Sequence, residues 1–345
     1  MRRAALSQDS LIQIVGPTDN WVLQKLASIL VRKLPYASFS AWRPQRHGVL
    51  AYYVNYALFE APSGLLDVGF FTHRDESFDF ADRARAMNAC VCMAEIYTDW
   101  LKQSTAKPVV HIPMGFDSIR YRPSLVLGVI GQLDHPRKGA HLVNKLRELP
   151  FVDIVTTEGR LPESSLREIY QRVDFVLIPA TVEGGPMSLF EGLGMGKPVI
   201  APDGVGAVPE FKGTEHIHRY PAGDLDELVR LVTRCYERKC EASRVVSDRS
   251  WNQWAADHDR FFTMLLREHG RTMPVPGPLF RFGLIEELMA NCGNTLSPST
   301  DLSALEIVVD RIAAHLYFDQ LDRVFELLEN EIPQFPILQH LHAIL

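Results

Sequence analysis

Glu183 and Glu191 stand on either side of a Gly184-Gly185-Pro186 turn and a short apolar run, in the stretch TVEGGPMSLFEGLGMGKPVIAPD (181–203). A single carboxylate after a buried strand is ordinarily a solvated face or a cap. Here the pair flanks a helix start with the chemistry of an anion site. Gly184 and Gly185 allow close backbone approach to a ligand. Pro186 suits the first helical position, because it has no amide hydrogen to leave unpaired. The free amides of Met187, Ser188 and Leu189, with the positive end of the helix dipole, are then expected to face a phosphate. Eight residues of helical rise span about 12 Å, so a diphosphate fits between the carboxylates. Carboxylates accept hydrogen bonds from vicinal hydroxyls well, so one side would hold a ribose and the other a sugar. Two carboxylates beside a diphosphate need cations, and Arg137 and Lys138 in GVIGQLDHPRKGAHLV are placed to supply them. The plainer alternative for that pair is a solvated basic step before a helix.

Such residues need a scaffold that sets loops side by side. Short apolar runs alternate with helix-period segments along most of the chain: LIQIV, VLAYYVNYALF, LLDVGFF, ACVCMA and VVHIP read as strands, and NWVLQKLASILVRKL as a helix. After a turn-rich segment, MGFDSIRYRPS (114–124), the pattern restarts with LVLGVIG, FVDIVT, DFVLIPA and KPVIAPD as strands between helices. Strands joined by crossover helices predict parallel sheets covered on both faces. The expected fold class is therefore α/β, with two Rossmann-like domains facing a cleft, over residues 1–123 and 124–249. A helix at 250–270 is expected to return to the first domain, and 271–345 to form a helical appendage for packing or docking. Open parallel sheets bind ligands beyond the carboxyl ends of their strands, which puts the weight on the loops after IVG, GFF, VIG and IPA.

The bulk properties exclude several classes. The 345 residues suffice for two cores, and a formal charge of −6 argues against binding nucleic acid or an anionic membrane through overall charge. A local basic cluster at Arg32, Lys33, Arg43 and Arg46 remains open. No run approaches a membrane span, and the first residues carry too short an apolar stretch for a signal peptide. The five cysteines lack paired spacing; Cys90 and Cys92 share one face of a strand and are expected to be free buried thiols of a reduced, cytoplasmic chain. Asp224-Leu225-Asp226 opens an amphipathic helix and reads as a cap, so no metal ligand set is expected.

EGGPMSLFEGLGMGKPVIAPDGVGAVPEF closely resembles the E-x7-E region of family-4-type retaining glycosyltransferases of the GT-B fold. GVIGQLDHPRKG is similar to their donor-phosphate loop, HIPMGFDSIRYRP to their interdomain linker, PAGDLDELVRLV to the helix after the donor site, and SWNQWAADHDRFF to their last helix. The resemblance runs from about 108 to 265 in order and spacing; the first hundred residues share only the pattern.

That resemblance implies a metal-independent transferase that moves a sugar, with retention, from a nucleoside diphosphate sugar to a hydroxyl of a glycan, lipid-linked or protein acceptor. No cofactor is implied beyond the nucleotide sugar as co-substrate, and peripheral membrane association is compatible with it. Glu183 takes the role of contacting the transferred sugar and supporting charge at the anomeric centre, Glu191 that of holding the ribose, and Lys138 that of neutralising the leaving diphosphate. His73, after a first-domain strand, takes the place of a cleft histidine, and Gly16 that of a glycine near the donor phosphates. Gln132 stands where the family usually has an arginine, so Arg137 is a candidate for the missing charge. Two alternatives follow from the same residues: a sugar-nucleotide epimerase, and a nucleotide-sugar or glycan-binding protein without turnover.

Overall fold

The computed structural model describes residues 11–118, 120–157, 161–271, 301–317, 321–336, 338, 339 and 342. They fall into two compact units: residues to 120, with those from 247 onward and the C-terminal helices, form the first, and 121–246 the core of the second.

The first unit is built on a six-stranded sheet of β1 (Ile12–Gly16), β2 (Ala37–Ala41), β3 (Leu50–Tyr53), β4 (Leu66–Phe71), β5 (Ala89–Cys92) and β6 (Val109–His111), ordered β2-β1-β3-β4-β5-β6 and parallel throughout. Every residue of β1, β3 and β5 is buried, as strands covered on both faces require. Ile14, Tyr52, Phe70 and Val91 face one core, and Val15, Tyr53, Phe71, Cys90 and Cys92 the other. Cys90 and Cys92 are free and buried, and burial pushes the Cys90 thiol up to about 12. The helices α1 (Trp21–Lys33), α2 (Phe80–Ala86) and α3 (Ile96–Ser104) complete its α/β part.

The run VLAYYVNYALF stops being a strand at Tyr53. Asn55 breaks it by capping a 3-10 turn, its side chain accepting from the Ala57 amide at 2.9 Å. The edge strand β2 escapes the apolar pattern because ASFSA is small and half exposed.

The second unit holds five parallel strands, β7 (Leu125–Val129), β8 (Val152–Thr156), β9 (Phe175–Leu177), β10 (Val199–Asp203) and β11 (Ile217–Pro221), in the order β11-β10-β9-β7-β8. Around them lie α4 (Ala140–Leu146), α5 (Glu163–Arg172), α6 (Met187–Gly194), α7 (Leu225–Lys239) and the single turn α8 (Glu241–Arg244). The cores on the two faces are separate: Leu127, Leu142 and Val232 belong to one, Tyr170, Val176 and Leu189 to the other. Asp224 caps α7, its carboxylate accepting from the Glu227 amide at 2.9 Å.

α9 (Trp251–Glu268) lies in the first unit, where Trp254, Phe262 and Leu265 share a core with Ile12 and Leu30. Chain and helix touch where Gly115 leaves no space for a side chain: a Cβ there would sit 2.8 Å from both Ser250 O and Trp251 Cε3. Inside that core, His258 Nε2 lies 2.7 Å from the Tyr52 hydroxyl and Nδ1 lies 2.8 Å from the Trp254 carbonyl.

The C-terminal stretch contributes α10 (Leu302–Tyr317) and α11 (Leu321–Glu331), whose Leu305, Ile312, Val324 and Leu328 are buried. Asp310 on α10 pairs with Arg32 Nε at 2.6 Å and Lys33 Nζ at 3.1 Å, and Arg43 pairs with Glu60 at 2.9 Å. Three members of the basic cluster anticipated at 32–46 are thus in ion pairs. Among the described residues no helix is long and apolar enough to cross a membrane.

Both sheets reverse their winding once. β1 lies between β2 and β3, and β7 between β8 and β9. In open α/β sheets that reversal opens a crevice at the strands' carboxyl ends, so each unit has one preferred binding edge.

Candidate functional site

In the second unit the reversal falls between the loop after β7 and the loop after β9, which carry Gln132, Arg137 and Lys138 on one side and Glu183 on the other. Gly139 joins them closely. It has φ +75°, and a side chain on it would run into the Pro179 carbonyl. The Thr181 amide then donates to the Arg137 carbonyl at 2.9 Å. Held this way, Lys138 Nζ forms an ion pair with Glu183 Oε1. Arg137 Nη1 lies 3.6 Å from the same oxygen and donates to the Val182 carbonyl at 3.0 Å. Gln132 is exposed at the same edge, beyond Gly131, whose amide donates to Thr157 Oγ1 at 2.9 Å.

The Glu183-Gly184 backbone is backed by the loop after β10. Gly206 packs so close that a Cβ would lie 2.5 Å from the Gly184 carbonyl oxygen. Gly184 and Gly185 differ: a Cβ on either would meet nothing within 4 Å, and neither has positive φ. Neither packing nor conformation requires glycine at these two positions, which leaves them open to a ligand's approach.

α6 begins at Met187, and Pro186 is its extended cap residue, with ψ 119°. This shifts the helix start by one from the sequence expectation and changes the amide inventory. Leu189 donates to the Pro186 carbonyl at 3.0 Å, so it is not a free donor. Among the described residues, the amides of Met187 and Ser188 have no hydrogen-bond partner. Gly192 lets α6 lie against β9, where a Cβ would come 2.8 Å from Val176 Cγ2.

Glu191 projects from the same helix, and its Oε2 accepts from the Tyr170 hydroxyl at 2.5 Å. Burial, and then the Glu191 carboxylate, push the Tyr170 phenol well above its ordinary range, so Tyr170 remains a donor. Tyr170 belongs to the site but was not anticipated. It sits in the apolar stripe of α5 with Leu166 and Ile169, and its spacing signals only core.

The other two anticipated residues belong to the first unit. Gly16 ends β1, where a Cβ would be 3.1 Å from Ala27 Cβ and 3.2 Å from Phe39 Cε2, and its carbonyl accepts from the Trp42 amide at 2.9 Å. The helix after it is already capped: Asn20 Oδ1 accepts from the Val22 and Leu23 amides, each at 3.1 Å. His73 is exposed two residues beyond β4, with Nδ1 2.8 Å from Thr72 Oγ1 and its ring edge-on to Tyr56 at 5.9 Å. The same sheet edge carries a cavity of about 680 Å³.

The structure therefore gathers Arg137, Lys138 and Glu183 into one cluster. It adds Gly184, Gly185, Met187, Ser188, Leu189 and Glu191 on the adjoining turn and helix. Two cations around one carboxylate, ahead of two open helix amides, give this edge groups that could meet an anion, with their counter-charge already in place. Among the described residues, no three of His, Cys, Asp and Glu come together in a way that could hold a metal.

Residues 115–238 match the family model described as glycosyl transferases group 1. The matched span holds all five strands of the second sheet with the Arg137–Lys138 and Glu183 loops and α6, so the similarity falls on the second unit. Two parallel Rossmann-like units followed by helices are also the elements of the GT-B fold expected from the sequence. Comparison with curated proteins returned no match. Among solved structures the chain is similar to sucrose-phosphate synthase from Thermosynechococcus elongatus, at 15% identity and a TM-score of 0.28, covering 64% of this chain and 74% of that one. It is similar to Anabaena HepE in complex with UDP at 13% identity, TM-score 0.30, over 73% of this chain and 99% of that one. A glycosyltransferase from Rickettsia africae is similar at 10% identity, TM-score 0.31, over 74% and 98%.

Proposed function

We propose that the chain is a retaining, metal-independent glycosyltransferase that moves a sugar from a nucleoside diphosphate sugar to an acceptor hydroxyl. The observation that carries this is the Glu183 carboxylate bound by Lys138 and Arg137 at the reversal of the second sheet, beside the open start of α6. Without donor, the cations and the carboxylate neutralise one another. A diphosphate at the helix start competes for Lys138 and Arg137, and charge-assisted bonds to phosphate are among the stronger ones available. Glu183 is then released to accept from the sugar's hydroxyls and to stabilise positive charge at the anomeric carbon as its bond to the diphosphate breaks. The new bond to the acceptor oxygen forms on the face the diphosphate leaves, and the acceptor's hydroxyl proton passes to the departing diphosphate oxygen.

Glu191, oriented by Tyr170, is assigned the ribose hydroxyls. His73 is assigned a contact to sugar or acceptor through Nε2, since Nδ1 is bound to Thr72. Retention is supported by the E-x7-E spacing of Glu183 and Glu191. The metal-free scheme is supported by Asp224, whose carboxylate is spent on capping α7. The free, buried Cys90, Cys92 and Cys235 fit a reducing, cytoplasmic setting.

Acceptor-dependent release of nucleoside diphosphate, with the anomeric configuration of the first product read by NMR, tests the proposal. Retained configuration and full activity in EDTA are expected. An inverted product, or activity lost in EDTA and restored by manganese, would overturn those two parts.

A further inference from the structure

We propose that the acceptor carries an apolar body, alkyl or aryl, with no phosphate or carboxylate on the part that binds, and that it occupies the cavity at the carboxyl edge of the first sheet. Naming the occupant as acceptor rests on the glycosyltransferase reading; the preference for an apolar, non-anionic ligand rests on the cavity itself.

The cavity measures about 680 Å³, within the roughly 300–1,000 Å³ typical of small-molecule sites. It lies where such sites form. The chain leaving each of β1, β3, β4, β5 and β6 contributes a lining residue, and β1 and β3 are the strands between which the winding reverses. Its apolar walls are Val22, Leu23 and Leu26 from α1, with Met93 from the chain after β5 and Met114 from the chain after β6. Methionine side chains adapt to irregular apolar ligands.

The polar lining is largely committed to the fold. Asn20 spends its carbonyl on the Val22 and Leu23 amides, which takes up two of the donors that the start of α1 could offer an anion. Asn55 spends its carbonyl on the Ala57 amide, and Thr72 bonds His73. Among the described residues no lysine, arginine or histidine lines the cavity. Among the described residues Asp19 is its one ionisable group, and no ion pair or hydrogen bond of its side chain is seen. A phosphorylated or carboxylated ligand would meet that carboxylate with no cation to offset it. A neutral hydroxyl compound donates to it, and its apolar body covers the aliphatic wall.

Calorimetric titration of the full chain with butyl, hexyl and octyl β-D-glucopyranosides below micelle formation, with glucose, and with glucose 6-phosphate decides this. Affinity should rise two- to fourfold per methylene, as transfer of about 0.8 kcal/mol per buried methylene implies. Glucose and glucose 6-phosphate should bind at least tenfold more weakly than the octyl compound. Val22→Arg, at a position already 38% exposed, should remove the chain-length dependence and keep the fold. A flat series, tighter glucose 6-phosphate, or a series unchanged by Val22→Arg would overturn the inference. Titration with UDP, GDP and ADP in parallel separates the two readings. Chain-length dependence without nucleotide binding removes the donor assignment and leaves the cavity's preference standing. Nucleotide binding and turnover with a flat series removes the cavity inference alone.

Discussion

The carboxyl edges of the two sheets share a topology and differ in what their loops do with polar groups. At the first, the helix start is capped by Asn20, the Asn55 carbonyl closes a turn, and the surrounding walls are aliphatic. At the second, the start of α6 has a proline where a capping side chain would stand, and its first two amides remain open. Charges there face charges: Lys138 and Arg137 converge on Glu183. One kind of parallel sheet thus yields an apolar, anion-averse edge when loop polar groups satisfy the backbone. On the proposed function it yields an anion-binding edge when they are left for a ligand. Glycine marks the same distinction within the second edge. Gly139 and Gly206 are consumed by packing, whereas Gly184 and Gly185 border open space.

The largest expected effect breaks the charged edge at its carboxylate. Glu183→Gln should lower kcat by about two orders of magnitude or more, the scale of losing a preorganised electrostatic group. It should not weaken nucleoside diphosphate binding, because Lys138 loses the partner that competes with phosphate. Steady-state kinetics and calorimetric titration check both halves, and full turnover would remove Glu183 from the mechanism.

The units also differ in what they bury. His258, wholly inside the first, has its pKa lowered by desolvation from 6.5 to about 4. The neutral ring suits both of its contacts, with Tyr52 and the Trp254 carbonyl. Below pH 6.5 the unfolded chain takes up a proton that the native ring refuses, so stability falls between pH 6.5 and 4. The loss is about 3 kcal/mol across that window. Half-buried Asp259, whose pKa desolvation raises, binds protons more readily when folded and offsets part of the loss at the acid end. The melting temperature of the parent should drop steeply over this range, and that of His258→Gln should follow a flatter curve.

The charged edge was largely legible in the sequence because its residues lie in two short stretches with strong local grammar. A Gly-Gly-Pro turn after an apolar strand, with carboxylates eight apart, is visible without a structure. The helix start itself was misplaced by one residue, since proline's fixed φ serves a cap as well as a first turn; that shift spends the Leu189 amide. β11 was missed because His218 and Arg219 interrupt its apolar pattern. The first-unit cavity was legible only as an edge: the loops after IVG and GFF, which supply Asp19 and Thr72, were expected to carry weight, but Asn55, Met93 and Met114 join them only through strand order. Nor was the neutralisation of Lys33 by Asp310, a contact across 277 positions.

The cations of the second edge give the next effect. Lys138→Ala should weaken nucleoside diphosphate binding ten- to a hundredfold, the worth of a charge-assisted hydrogen bond of about 1.5–3 kcal/mol. Arg137→Ala should cost less, because Arg137 Nη1 is also engaged with the Val182 carbonyl and the residue is more exposed. Equal losses in the two variants would show that Arg137 fully replaces the arginine absent at Gln132. No loss in either would place the phosphate elsewhere.

The smallest effect concerns the hydroxyl of Tyr170. It touches no proposed ligand atom and acts by holding Glu191 through the 2.5 Å bond to Oε2. Tyr170→Phe keeps the ring in its core and removes only that donor. A hydrogen bond to a charged group is worth about 1.5–3 kcal/mol, but nucleotide binding senses only the part that orients Glu191, about 0.5–1.5 kcal/mol. Nucleoside diphosphate binding should therefore weaken by roughly two- to tenfold, while kcat at saturating donor stays near the parent value. Glu191→Gln should weaken binding more, since it alters the group that meets the ribose. The deoxy analogue of the nucleotide gives the sharper readout. If Tyr170 acts by positioning Glu191, its loss should matter less for a 2′-deoxynucleoside diphosphate than for the ribonucleotide, because the bond being organised is partly absent. An equal loss for both would mean that Tyr170→Phe loosens α5 against α6 and that the hydroxyl serves packing alone.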